Sequence, residues 1–226
     1  MIQKLRLIPV FLAIPIFLVT TNAFIIINSD FLYEYGFKKY SIDEYTGIEM
    51  DQLYLASDQI RDYFNNDEEY IVIEIEVYGE TISNLYNDRE ILHMKDVKHL
   101  LEIVWYAQIV SLLILVFYSI LSLYLYPKEK GLKLGRDFSI GAIFTLSLIF
   151  FIGIIAILGF DKLFLYFHLI SFTNDLWILD PRYDYLIMMF PQGFFFDSTI
   201  VIAILTILEC VLISIIPTLS KKLMSK

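Results

Sequence analysis

The sequence predicts an all-α membrane protein with four transmembrane helices, a small extracytoplasmic α+β cap and an interfacial aromatic loop. Three observations predict it. First, 58% of the 226 residues are apolar and the mean hydropathy is +0.64, a composition few soluble domains reach. Second, four apolar runs, within 1–27, 100–126, 138–160 and 198–219, each supply the ~20 residues that cross a bilayer's hydrocarbon core. Third, charge is partitioned. Nine of the 17 basic residues fall in the N-terminus (Lys4, Arg6), the short 127–137 loop (Lys128, Lys130, Lys133, Arg136) and the C-terminal tail (Lys221, Lys222, Lys226). Most acidic residues fall in 28–99.

That partition sets the expected orientation. Basic residues in short flanking segments favour the cytoplasmic side, so both termini and the 127–137 loop are expected inside the cell membrane. The cap, 28–99, and the loop, 161–197, are expected outside. The net charge of −9 belongs mainly to the cap, which argues against nucleic acid as a partner.

The elements follow in order. The first run, 1–27, begins after Lys4 and Arg6 and could be a signal peptide. Its apolar part is longer than an h-region and continues past Asn22-Ala23 into Phe24-Ile25-Ile26-Ile27, which favours an uncleaved anchor. Pro15 is expected to kink it. Residues 28–45, with Phe31, Tyr33, Tyr35, Phe37, Tyr40 and Tyr45, read as an irregular aromatic segment at headgroup level. Residues 49–64 place Leu53, Ala56, Ile60 and Phe64 on one stripe of an amphipathic helix.

Tyr70 to Val77 alternates as a strand, Gly79 with Glu80 reads as a turn, and Thr81 to Tyr86 as the hairpin partner. Asn87 or Asp88 caps a helix that runs into the second span, 100–126, which Pro127 ends. After the basic loop and the third span, 138–160, comes 161–197, a mixture of aromatics and aspartates suited to the bilayer interface. Within it Asp180-Pro181 reads as the start of a short helix and Pro191-Gln192-Gly193 as its break. The fourth span, 198–219, leads to the tail, 220–226.

Candidate chemistry concentrates before the second span and after the third. His93 and Asp96, three residues apart, share a helix face. A carboxylate beside a histidine raises its pKa and fixes its tautomer, which is how a general base is oriented. His99 lies about a third of a turn off that face. Alone, such a pair on an interfacial helix is usually just solvated. His168 adds weight because four spans would bring it to the same membrane surface, among apolar neighbours. Two histidines at a lipid-facing aromatic cleft could divide acid and base roles in acyl transfer.

Other chemistries are less supported. No HxxxH or HExxH spacing exists for zinc, and no metal or cofactor is expected. The chain lacks a GxSxG elbow and a glycine-rich phosphate loop. Cys210 lies inside the fourth helix and reads as a small apolar filler. Glu209, also inside it, reads as a buried polar link to groups such as Ser119 or Ser147, with a transport role as the sharper reading.

Two stretches resemble a known family. Glu90…His93-Met94-Lys95-Asp96-Val97-Lys98 is similar to the E-x-x-H-M-x-D-V-K signature of a bacterial family of four-span membrane proteins that includes the lipoprotein intramolecular transacylase. The run Phe167-His168…Phe172…Trp177…Leu179-Asp180-Pro181…Asp184…Leu186-Ile187…Phe190-Pro191…Phe194-Phe195…Asp197 resembles its second signature. The resemblance spans nearly the whole chain.

The resemblance implies transfer of the sn-2 acyl chain of a diacylglyceryl-modified lipoprotein from glycerol oxygen to the N-terminal cysteine amine. It implies His93, oriented by Asp96, as the base and His168 as the acid or oxyanion stabiliser. Trp177 and Phe172 would shape the acyl pocket, with Glu90 and Asp180 as further substrate-binding candidates. The partners would be membrane lipid and a bacterial lipoprotein. The alternative is a non-enzymatic multi-pass membrane protein that binds lipid or a partner protein through its acidic cap.

Overall fold

The computed structural model of the protein describes residues 8–129 and 131–224. Lys4, Arg6, Lys130 and Lys226, and the side chains of Lys221 and Lys222, on which part of the expected orientation rests, lie outside the described residues. Among the described residues eight α-helices follow in order: α1 (Ile8–Ile27), α2 (Asp30–Lys39), α3 (Ile42–Thr46), α4 (Met50–Phe64), α5 (Asp88–Leu125), α6 (Leu132–Ser171), α7 (Tyr185–Met189) and α8 (Gln192–Met224). A hairpin of β1 (Ile75–Val77) and β2 (Glu80–Ile82) lies between α4 and α5. Four of these described helices, α1, α5, α6 and α8, are long and apolar enough to cross a membrane.

The chain divides into two compact units. The apolar unit takes the described residues up to Phe24, Val104–Leu158 and those from Ile200. Its buried centre is Val10, Ala13, Ile14, Leu18, Leu115, Ala142 and Cys210, so Cys210 is the filler the sequence predicts. Large side chains elsewhere on these helices face outward, among them Phe117, Ile120, Phe150 and Ile157, as a lipid-exposed surface requires. Asn22 donates from Nδ2 to Glu209 Oε2 (2.8 Å) and to Thr206 Oγ1 (3.0 Å). Ser119 and Ser147, expected to hold Glu209, instead donate back to the carbonyls of Leu115 and Ile143 in their own helices. A serine in a helix interior satisfies itself this way, which leaves the carboxylate to the amide of α1.

The polar unit comprises Ile25–Ile103 and Gly159–Thr199. Residues 28–45, expected to be irregular, instead form most of α2 and α3, joined by a turn at Tyr40-Ser41. Their aromatics fall at helical spacing, and Leu32, Tyr33, Gly36 and Phe37 form the buried face of α2. Phe37 is wholly buried against Tyr54 and Phe190. A Cβ at Gly36 would stand 2.4 Å from the Phe194 ring. Gly36→Ala should therefore cost about 1–3 kcal/mol through overpacking, read as a lower thermal unfolding temperature with α1, α5 and α8 still inserted.

In α4 the buried stripe is Leu53, Ala56, Ser57, Ile60 and Tyr63; Tyr63 takes the place expected of Phe64. The expected strand from Tyr70 is extended, with Ile71, Ile73 and Ile75 buried, but only its last three residues pair with a second strand. Upstream of them the Leu85 N–H still bonds the Ile73 carbonyl (3.0 Å), and side-chain amides of α4 satisfy other backbone groups of the extended run. Gln59 donates to the Glu74 carbonyl and accepts its N–H, both at 2.8 Å, and Gln52 accepts the Glu76 N–H. The turn is Tyr78-Gly79, with φ of 52° and 79°, rather than Gly79-Glu80. Two consecutive positive φ values define the two-residue turn whose twist suits a hairpin.

Candidate active site

Two long helices carry the histidines. At ~1.5 Å per residue, the 38 residues of α5 reach well beyond the ~30 Å hydrocarbon core. The apolar part of α5 begins at Leu100, so its first three turns precede the spanning segment. In α6 the backbone leaves helical geometry at Gly159 (φ −175°, ψ 67°). His168 lies beyond that break, on the far side of the third span.

The start of α5 is built by a reciprocal cap. The Asn87 side-chain oxygen accepts the N–H groups of Arg89 (3.0 Å) and Glu90 (3.2 Å), and Glu90 Oε2 accepts the Asn87 N–H (2.8 Å). This is the capping-box arrangement. Glu90 is 1% exposed, and its second oxygen accepts the Leu186 N–H (2.6 Å). Asn87 Nδ2 donates to Asp184 Oδ1 (2.8 Å), and Asp184 Oδ2 accepts the Asp180 N–H (2.6 Å). Burial pushes the Glu90 carboxyl up, and the two N–H donors pull it back toward the ionised form. Glu90, expected to bind substrate, thus has both oxygens committed to backbone and ties the first turn of α5 to α7.

One turn further on, His93 is 6% exposed, and His168 is 9% exposed. Their ring centroids are 6.4 Å apart. Phe172 stands 5.2 Å from His93 and 5.8 Å from His168, and Trp177 stands 5.0 Å from His168. Phe164 closes the other side of His168 at 4.4 Å. His93, His168, Phe172 and Trp177 therefore come together in the polar unit, from segments some 80 residues apart.

The contacts of the two imidazoles differ. His168 Nδ1 donates to the Phe164 carbonyl (2.7 Å). A carbonyl can only accept, so the proton of the neutral ring is fixed on Nδ1 and the lone pair on Nε2. Burial lowers the His168 pKa from its ordinary 6.5. His93 Nδ1 is buried without a hydrogen-bond partner. Burial, reinforced by His168, lowers the His93 pKa to about 4, so its ring is neutral at pH 7.

Among the described residues Asp96 makes no hydrogen bond to His93. Its Oδ2 accepts from Asn174 Nδ2 (2.8 Å), and desolvation outweighs its attraction for a charged His93. Helix spacing made the pair possible, but the carboxylate points to a loop that arrives 78 residues later. Asp180 is paired with the exposed Arg182, which holds its carboxyl at about 2. It heads a turn, not a helix: the Asp184 N–H bonds to its carbonyl (2.9 Å) and the short helix starts only at Tyr185. His99 is exposed beside Glu102. Asn174, Arg89 and the Phe164 carbonyl were not legible as site groups, since asparagine, arginine and a backbone carbonyl leave no sequence signature.

Among the described residues no group of three or more His, Cys, Asp or Glu could hold a metal. The arrangement offers two neutral imidazoles, one with an oriented lone pair, in an aromatic enclosure. That suits proton transfer during attack on a carbonyl.

No curated protein matches the chain. Over 100% of this chain and 99% of the other, the fold matches the solved structure of the membrane integral lipoprotein intramolecular transacylase Lit from Bacillus cereus, with a TM-score of 0.80 and 21% identity. Variants of that protein with one histidine changed to arginine or to alanine match with TM-scores of 0.77 and 0.76, each at 21% identity. They cover 100% and 99% of this chain and 95% and 96% of theirs. The family model for the lipoprotein intramolecular transacylase Lit matches residues 8–195, which takes in α1, the capping box, both buried histidines and Trp177. The chain is a multi-pass membrane acyltransferase that belongs to the lipoprotein intramolecular transacylase family.

Proposed function

We propose that the protein moves the sn-2 acyl chain of a diacylglyceryl lipoprotein onto the amine of its N-terminal cysteine, using His168 and His93. The observation that carries this reading is the pair of buried imidazoles 6.4 Å apart, one with its Nε2 lone pair fixed by a carbonyl. Family membership favours the enzyme over the non-enzymatic membrane protein that binds lipid or a partner through its acidic cap. Both termini are assigned to the cytoplasm and the polar unit to the outer side, on the distribution of basic residues.

Donor ester and acceptor amine belong to one molecule, so no acyl-enzyme is needed. Positioning them can supply several kcal/mol of the barrier. The amine nitrogen attacks the sn-2 ester carbonyl, forming a C–N bond and a tetrahedral oxyanion. His168 Nε2 takes a proton from the attacking nitrogen. The C–O bond to glycerol then breaks, and the same proton goes to the leaving oxygen, freeing the sn-2 hydroxyl. His93, neutral and without a carboxylate partner, donates a hydrogen bond to the oxyanion, a task a low-pKa imidazole performs well. This reverses the division of labour that the spacing of His93 and Asp96 suggests. Phe172 and Trp177 hold the imidazoles in a dry aromatic enclosure and flank the acyl group.

Expression in a host whose lipoproteins are diacylated tests the activity. Mass spectrometry of an abundant lipoprotein's N-terminal peptide should show an N-acyl, lyso-glyceryl form only when the chain is present. A stably inserted chain that leaves the peptides diacylated would count against the reading.

A further inference from the structure

A substrate must bring its ester carbon within hydrogen-bond reach of the imidazole nitrogens, yet both rings are over nine-tenths buried. Part of the enclosure therefore has to move. Two of its walls, α5 and the end of α6, are helices. The third is the strap from Phe172 to Asp184, which has no helix or strand and carries Phe172 and Trp177 against the histidines. Apart from the rings themselves and the Asn87–Asp184 bond at its far end, two exposed side-chain tethers hold the strap to α5. Asn174 Nδ2 donates to Asp96 Oδ2 (2.8 Å), while its own Oδ1 accepts the Leu176 N–H (3.0 Å). Arg89 donates to the carbonyls of Leu176 (3.4 Å) and Asp175. Water competes for bonds this exposed, so each is weak.

We propose that Asp96, Asn174 and Arg89 form a latch that controls access to the transacylation site. Closed, it holds Phe172 and Trp177 over the imidazoles and keeps water from the ester. Released, it lets the lipid-modified cysteine reach them. The functional meaning rests on the proposed catalytic role of the two histidines, but the latch itself is a statement about their accessibility. Asp96 gains a role that its poor alignment with His93 does not explain, and Arg89 and Asn174 become positioning residues for the reaction.

Labelling of histidines by diethyl pyrocarbonate, followed by peptide mass spectrometry on the detergent-solubilised chain, tests this without substrate. His99 is exposed and serves as the internal reference in every sample. In the native chain His93 and His168 should react at least tenfold more slowly than His99. Asn174→Ala and Asp96→Ala should each speed labelling of both buried histidines several-fold and leave His99 unchanged. Asp96→Asn, whose amide oxygen still accepts from Asn174, should label like the native chain. Equal labelling in the alanine variants and the native chain overturns the latch, as does an Asp96→Asn variant that labels like Asp96→Ala. Loss of acyl transfer in the alanine variants without faster labelling also overturns it. Should His168→Ala keep full activity, the catalytic reading fails while labelling still reports the latch.

Discussion

His168→Ala is expected to lower acyl transfer by about 10²–10⁴-fold, the usual contribution of a positioned acid–base group. The loss should fall on turnover and not on insertion or folding, because His168 meets only aromatic rings and the Phe164 carbonyl. A pH profile separates this role from a packing role. Acylation needs the cysteine amine unprotonated, so the rate should fall with unit slope below the α-amine pKa of about 8. Because burial lowers the His168 pKa from its ordinary range, a second proton silences the base only at more acid pH, where the slope should steepen toward two. In His168→Ala the residual rate should keep the first limb and lose the second. A variant with the native rate, or one that retains the steeper limb, would contradict the assignment. His93→Ala should also slow turnover but leave the second limb in place, since its pKa of about 4 puts its titration lower.

The second large effect is structural and falls on Glu90. Glu90→Ala strips acceptors from two backbone N–H groups, those of Asn87 and Leu186. The unsatisfied buried donor at Leu186 costs about 1–3 kcal/mol, and the exposed Asn87 N–H, which water can reach, adds little. The Leu186 bond is the more deeply buried of the two and carries the surer share. Glu90→Gln keeps one acceptor oxygen and should lose about half as much. Comparing thermal unfolding of both variants with that of His93→Ala, one turn away, isolates the clamp. An Ala variant as stable as the native chain would show that the carboxylate is not needed to join α5 to α7.

The parts of the fold legible in the sequence were those set by composition over long windows. Four apolar runs are visible because a bilayer demands ~20 apolar residues at a stretch. The helix at 50–64 was visible because one stripe of it is buried. Residues 28–45 read as irregular because aromatics at a membrane edge carry two meanings, and helical spacing among Leu32, Tyr33, Gly36 and Phe37 is hard to see in ten residues. The extended run also takes backbone partners from Gln52 and Gln59, which no strand pattern encodes. At the site, the histidines and their aromatic neighbours were legible from two signatures. The partners of the carboxylates were not. Asp96 finds Asn174, Glu90 finds Leu186 and Glu209 finds Asn22, each through long-range packing. Local spacing therefore pointed to residues that the fold gathers, while the hydrogen bond of Asp96 goes to Asn174 and not to His93.

The most direct measurement follows one acyl chain. A synthetic diacylglyceryl lipopeptide with an isotopic label only in the sn-2 chain is given to the purified protein and to its His168→Ala variant, and tandem mass spectrometry locates the label. The account predicts that the label moves to the cysteine amide with the native chain, leaving a free sn-2 hydroxyl, and stays on glycerol oxygen with the variant. A label released as free fatty acid, or one that reaches the amide at the native rate in the variant, would contradict it.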